Sequence, residues 1–135
     1  MSAILIDGKL VSAKLRGEVT EKRIEFEKKY GRKPGLCVIR VGEDPASVVY
    51  VRNKLRACEE VGFASTCNIL PESYTTEQVI AEVEKVNADP TVDGLLVQLP
   101  LPKHIDEARV VAAVASEKDV DAFHPVNTGK IMIGD

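Results

Sequence analysis

Three short stretches combine residue types that could share a chemical task. Residues 92–102, VDGLLVQLPLP, read as an apolar strand that finishes in an amide, Gln98, followed by Leu99 and by Pro100 and Pro102. An amide both donates and accepts hydrogen bonds, and left unpaired in an apolar site it costs about 1–3 kcal/mol. Gln98 therefore either serves a ligand or ties down the following loop, where Leu99-Pro100 suits a rigid turn compatible with a cis peptide. In the second stretch, after GEDP, Ser47, Tyr50 and Lys54 recur at three- and four-residue spacing beside an apolar stripe of Val48, Val51, Leu55 and Cys58. A lysine partly withdrawn from water beside a tyrosine can carry a proton; the plainer reading of that stripe is a solvated helix face. The third stretch is Lys118-Asp119-Val120-Asp121. If it is extended, both carboxylates point to one side, so that one could hold a ligand N–H group or both could cap the tail.

The elements that must position these groups follow from periodicity and breakers. An N-terminal β-like piece (Ala3 to Ile6) and a turn at Asp7-Gly8 precede a helix over 10–30, with Val11, Leu15, Val19, Phe26 and Tyr30 at helical spacing and Gly31 beyond its end. Gly35 to Val41 reads as a buried strand. Asp44-Pro45 opens a helix that stops at Gly62, because Asp44 can cap free N–H groups and Pro45 suits the first helical position. A weaker strand, Phe63 to Leu70, leads to a capping box at Thr75 and Gln78 and a helix ended by Pro90. Gly94 to Leu99 is the most apolar strand, Asp106 to Ala115 a short helix, and the tail from Lys118 has no clear period. Strand and helix alternate three times and the strands are continuously apolar. That pattern predicts an α/β domain with a parallel sheet covered on both faces and ligands bound beyond the strands' carboxyl ends.

Bulk properties narrow the function. The chain has 135 residues and a formal charge of −3, with the two signs interspersed, which excludes a non-specific grip on nucleic acid or anionic membrane. One domain that buries roughly 68% of its unfolded surface is expected. Cys37, Cys58 and Cys67 are odd in number and lack CxxC spacing, as expected of reduced thiols in a cytoplasmic, soluble protein. His104 and His124 lack the neighbours of a zinc site, no GxGxxG or Walker A motif is present, Ser47 lacks a nucleophile elbow, and Asp7, Asp44 and Asp93 do not form a convincing phosphoacceptor group. No metal is expected.

Taken together, GEDPASVVYVRNKLRACEEVGF (42–63), DGLLVQLPLP (93–102) and EKDVDAFHPVNTGK (117–130) closely resemble the bifunctional methylenetetrahydrofolate dehydrogenase/methenyltetrahydrofolate cyclohydrolase family, in its order and spacing and over essentially the whole chain. The resemblance implies a three-layer αβα catalytic domain with a mainly parallel sheet. It implies oxidation of 5,10-methylenetetrahydrofolate with NADP or NAD, then hydrolysis of the methenyl product to 10-formyltetrahydrofolate. By resemblance Lys54 performs acid/base steps, Tyr50 packs on the folate, Gln98 hydrogen-bonds near the lysine, and Asp121 recognises the pterin ring. Ser47, Val51, Arg52, Asn53, Val97, Leu99 and Pro100 would complete the substrate site. The family continues into a Rossmann domain that binds the nicotinamide cofactor and usually carries the homodimer contact; residues 1–135 are expected to lack it and to bind no cofactor alone. Two alternatives stand beside this reading: a non-catalytic folate-binding or interaction module, and a domain of a shikimate-type dehydrogenase. One departure from the family pattern is local. Ala122 stands where glycine usually follows the second aspartate, and if that backbone needs a positive φ, alanine costs on the order of 1 kcal/mol.

Overall fold

The computed structural model describes residues 6–134. The expected β-like piece falls outside the described residues except for Ile6, which is exposed coil. The elements are α1 (Gly8–Tyr30), β1 (Gly35–Val41), α2 (Pro45–Val61), β2 (Ala64–Leu70), α3 (Thr76–Ala88), β3 (Gly94–Val97), α4 (Glu107–Ala113) and α5 (Pro125–Ile133). Side chains accept the free N–H groups at the helix starts: Asp7 at α1, Asp44 at α2, Thr75 within a two-way capping box at α3, Asp106 at α4 and His124 at α5. Asp7 is thus a cap, and Gly8 the first residue of the helix where a turn was expected. Left-handed glycines stop α1 and α2 at Gly31 and Gly62.

The described strands form one parallel sheet in the order β2-β1-β3. Alternation along the central strand divides the core. Cys37, Ile39 and Val41 join Leu95 and Val97 in packing against Val79 and Val83 of α3 and Val110 of α4. Val38 and Leu96 point the other way, onto Val51 of α2. Helix α1 lies outside α2 and buries none of its residues; Arg23 of α1 donates to the Val61 carbonyl (3.2 Å), and Arg16 pairs with Glu60 (3.1 Å). Val11, Leu15 and Val19, which recur at helical spacing, line a groove shared with Ala57, Cys58 and Val61 of α2.

The strand starts are latched together by one carboxylate. Asp93 accepts the Gly35 N–H (2.7 Å) and both terminal guanidinium nitrogens of Arg32 (2.7 Å each). The Arg32 hydrogen bond is the largest influence holding the Asp93 carboxyl below the ordinary aspartate range. Gly35 admits no side chain, since a Cβ there would lie 2.0 Å from the Thr91 carbonyl oxygen.

Two outcomes follow. Gly35→Ala forces that backbone apart and lowers unfolding free energy by about 1–3 kcal/mol, read by urea titration. Because the native carboxyl of Asp93 binds its proton less tightly than the unfolded one, its stabilisation is complete above the ordinary aspartate range and fades as pH falls through the lower native value. Asp93→Asn therefore lowers stability at neutral pH and flattens the acid limb of a melting-temperature profile.

Candidate active site

The sheet's alternation decides where Gln98 points. Leu95 and Val97 face α3 and α4, Leu96 faces α2, and the next even position, Gln98, continues toward α2. The ladder also extends one step past β3, because the Gln98 N–H donates to the Ile39 carbonyl (2.8 Å). Across the interface, Lys54 Nζ donates to Gln98 Oε1 (3.2 Å), and Gln98 Nε2 donates to the Leu99 carbonyl (2.6 Å). The loop-tying reading of the amide holds for its nitrogen, while its oxygen meets a lysine. The Leu99-Pro100 peptide is cis. The strand itself ends at Val97, two residues earlier than expected, with the Gln98 N–H making the last backbone bond to β1.

Lys54 has no carboxylate partner among the described residues; its acceptor is a neutral amide held in one orientation by the backbone. Tyr50 lies one turn earlier on α2 and is 61% exposed, so its ring is uncovered. Lys54 and Gln98 therefore meet beside β3, with Tyr50 exposed one turn earlier on α2. The rest of the expected block divides around the helix, since successive residues turn by about 100°. Val51 is core, Asn53 is exposed, and Arg52 lines a groove of about 920 Å³ on the opposite, β2 side of α2, with Arg40, Leu55 and Ile69. Ser47 does not lie on an open polar stripe as expected. It is 2% exposed, with its hydroxyl buried beside the Asp44 carboxylate.

The two aspartates of the third stretch have separate fates. Asp119 bridges to Leu95 as a parallel addition beside β3, and its carboxylate accepts the His124 N–H (2.9 Å) and the Asn127 amide (3.0 Å). Burial pushes that carboxyl up, but the hydrogen bonds from Asn127 and the His124, Phe123 and Asp121 N–H groups together outweigh burial and hold it below the ordinary range. Asp121 makes no side-chain hydrogen bond among the described residues and lines a very small pocket with Leu96, Val97 and Phe123. The pocket that Asp121 lines contains neither Lys54 nor Gln98. Pro100 lines a crevice at the carboxyl ends of the strands, opposite Gly42, Asp44 and Glu72, and Leu99 packs on the core. His104 meets the Tyr74 carbonyl, and His124 caps α5.

Ala122 has φ 57°, the only positive value on a non-glycine residue among those described. The expectation of a left-handed position is met. Helix α5 was missed by the periodicity, although His124-Pro125 at its start and Gly134 beyond its end are ordinary boundary signals.

Residues 6–121 match the family described as tetrahydrofolate dehydrogenase/cyclohydrolase, catalytic domain. The chain belongs to that family. Over all 135 residues it is 51% identical to the bifunctional protein FolD of Moorella thermoacetica and 47% identical to that of Halalkalibacterium halodurans, covering 48% of each. Among solved structures, the bifunctional FolD enzyme of Campylobacter jejuni superposes with a TM-score of 0.93 at 44% identity, over 98% of this chain and 47% of that one. The Trypanosoma brucei enzyme, solved with NADP cofactor and inhibitor, gives 0.92 at 38% identity, over 98% and 46%. The chain thus spans about half the length of the curated relatives it matches. The tetrahydrofolate dehydrogenase/cyclohydrolase fold found here is the three-layer α/β arrangement with a parallel sheet that the sequence motifs implied.

Replacing the strained alanine of this catalytic domain by Gly, Ala122→Gly, relieves about 1–2 kcal/mol of left-handed strain and returns part of it as extra unfolded-chain entropy. Stability rises by about 0.5–1 kcal/mol in a denaturant titration; a loss of stability contradicts the assigned strain.

Proposed function

We propose that this chain is the folate-binding catalytic part of an enzyme that oxidises 5,10-methylenetetrahydrofolate and hydrolyses the 5,10-methenyl product to 10-formyltetrahydrofolate. The observation that carries the reading is the contact between Lys54 Nζ and Gln98 Oε1, made by residues from different elements at the end of the most buried strand. Family membership supplies the substrate class, and the alternative of a shikimate-type domain has no support in the matches. In the hydrolytic step water adds to the methenyl carbon, one C–N bond breaks, and the water gives up both protons, one to the departing ring nitrogen and one to solvent, since the methenyl compound is a cation. Lys54 is placed to carry the first of these, because its acceptor is an oriented neutral amide and not a carboxylate that would hold it as a fixed ion pair. Tyr50, exposed one turn away, offers a flat face for the folate rings, and the unpaired carboxylate of Asp121 offers acceptors for the pterin N–H groups.

The described residues do not fit a nicotinamide dinucleotide. The β1–α2 connection carries a single glycine, Gly42, and the Asp44 carboxylate already accepts the Ser47 N–H (2.8 Å) at the helix start that a pyrophosphate would need. No hydride step is therefore assigned to these residues. We place NADP or NAD binding, and the homodimer contact of a cytoplasmic enzyme, in the portion of the longer relatives that this chain does not span.

With this chain extended to the relatives' length, Lys54→Met lowers cyclohydrolase turnover by about 10²–10⁴, followed by loss of methenyltetrahydrofolate absorbance, while folate affinity stays within a few-fold. Near-normal turnover removes Lys54 from the proton path.

A further inference from the structure

The left-handed residue Ala122 directly follows Asp121, and such a conformation on a residue bearing a Cβ persists only where surrounding contacts over-determine it. Two sets of contacts do so. On one side, the His124 N–H and the Asn127 amide converge on the Asp119 carboxylate, and the neighbouring Phe123 and Asp121 N–H groups further favour its ionised form. Successive backbone N–H groups that close around an anion form a nest, a geometry that alternates right- and left-handed residues. Here the chain supplies its own anion. On the other side, the Thr128 hydroxyl donates to the Ala122 carbonyl (2.9 Å) from the first turns of α5. The Ala122 carbonyl is thus held by Thr128, and the His124 N–H, one peptide further on, by Asp119. Asn127 also donates to the Ser116 carbonyl (2.7 Å), which anchors the start of α5 to the segment before the nest. None of these bonds involves the Asp121 carboxylate.

We infer that Thr128 is a positioning residue for Asp121, holding the Ala122 carbonyl so that residue 122 stays left-handed and Asp121 is presented with its carboxylate free. The inference rests on the reading of Asp121 as a folate-contacting group. Glycine at 122 would adopt the same torsions without help, so dependence on the hydroxyl is specific to a chain with alanine there.

The test is a cycle of Thr128→Val, Ala122→Gly and the double variant, read by two probes. Amide hydrogen exchange at Phe123 and His124 reports the nest, and calorimetric titration with 5-formyltetrahydrofolate, a stable reduced folate, reports Asp121. Thr128→Val accelerates exchange and weakens folate affinity, each about five-fold, as the loss of one hydrogen bond should. The double variant returns both to within about two-fold of Ala122→Gly alone, and Thr128→Ser, which keeps the hydroxyl, leaves both unchanged. Equal losses with alanine and with glycine at 122, or no change in exchange in Thr128→Val, overturn the inference. If the unaltered protein shows no saturable folate binding, the folate reading of Asp121 falls, while the exchange cycle still decides whether Thr128 holds residue 122.

Discussion

The Asp93 carboxylate sets the register on which the site depends. By accepting the Gly35 N–H and the Arg32 guanidinium together, it pins the start of β3 to the start of β1, so that Leu36 pairs with Gly94 and Ile39 with Val97. Side chains alternate along a strand, so a slip of one residue would exchange the faces of Leu96 and Val97 and turn Gln98 away from α2. Lys54 would then lose its acceptor. The latch and the lysine contact lie at opposite ends of one four-residue strand, and register is the quantity that connects them.

The lysine contact differs from the ion pairs elsewhere on the molecule. Arg16, Arg23 and Arg109 pair with carboxylates, as solvated side chains commonly do. Lys54 instead meets an amide whose own nitrogen is engaged by the adjacent carbonyl, which leaves the oxygen nowhere else to point. Directional restraint without a counter-charge suits a group that must exchange protons with a bound molecule. The two aspartates beyond β3 show a related division. Asp119 is saturated by backbone and amide donors and organises the loop, whereas Asp121, two residues on, is left with unused acceptors.

That loop reaches β3 through a close approach. A Cβ on Gly94 would lie 2.6 Å from Val120 Cγ1, so the absence of a side chain at Gly94 lets Val120 settle over the strand while the Leu95 N–H donates to the Lys118 carbonyl (2.7 Å). Lys118 in turn donates through Nζ to the Val86 and Asp89 carbonyls at the end of α3. The acidic segment is thus tied to the sheet and to the helix layer behind it before α5 begins.

Local chemistry made much of the framework legible. The limits of β1, the Asp44-Pro45 start and Gly62 stop of α2, and the reciprocal Thr75–Gln78 cap depend on neighbours a few residues apart, and each reads directly from the chain. So did the neighbouring placement of Tyr50 and Lys54 on one helix, whereas the left-handed position at residue 122 was suggested only by the resemblance to a family with glycine there. Burial and long-range pairing did not read this way. Ser47 carries a helix-surface spacing yet lies in the core, Arg52 and Val51 turn away from Lys54, and Asp119 and Asp121 cannot be told apart until α5 supplies donors to one of them. The sequence by itself determined the order of the elements from α1 to α4, the caps of α2 and α3 and the residue types available for chemistry, because those rest on contacts within a turn or two. Only the tertiary structure decided which side chains meet, because a contact such as that between Lys54 and Gln98 is set by sheet register and helix rotation, which no local pattern encodes.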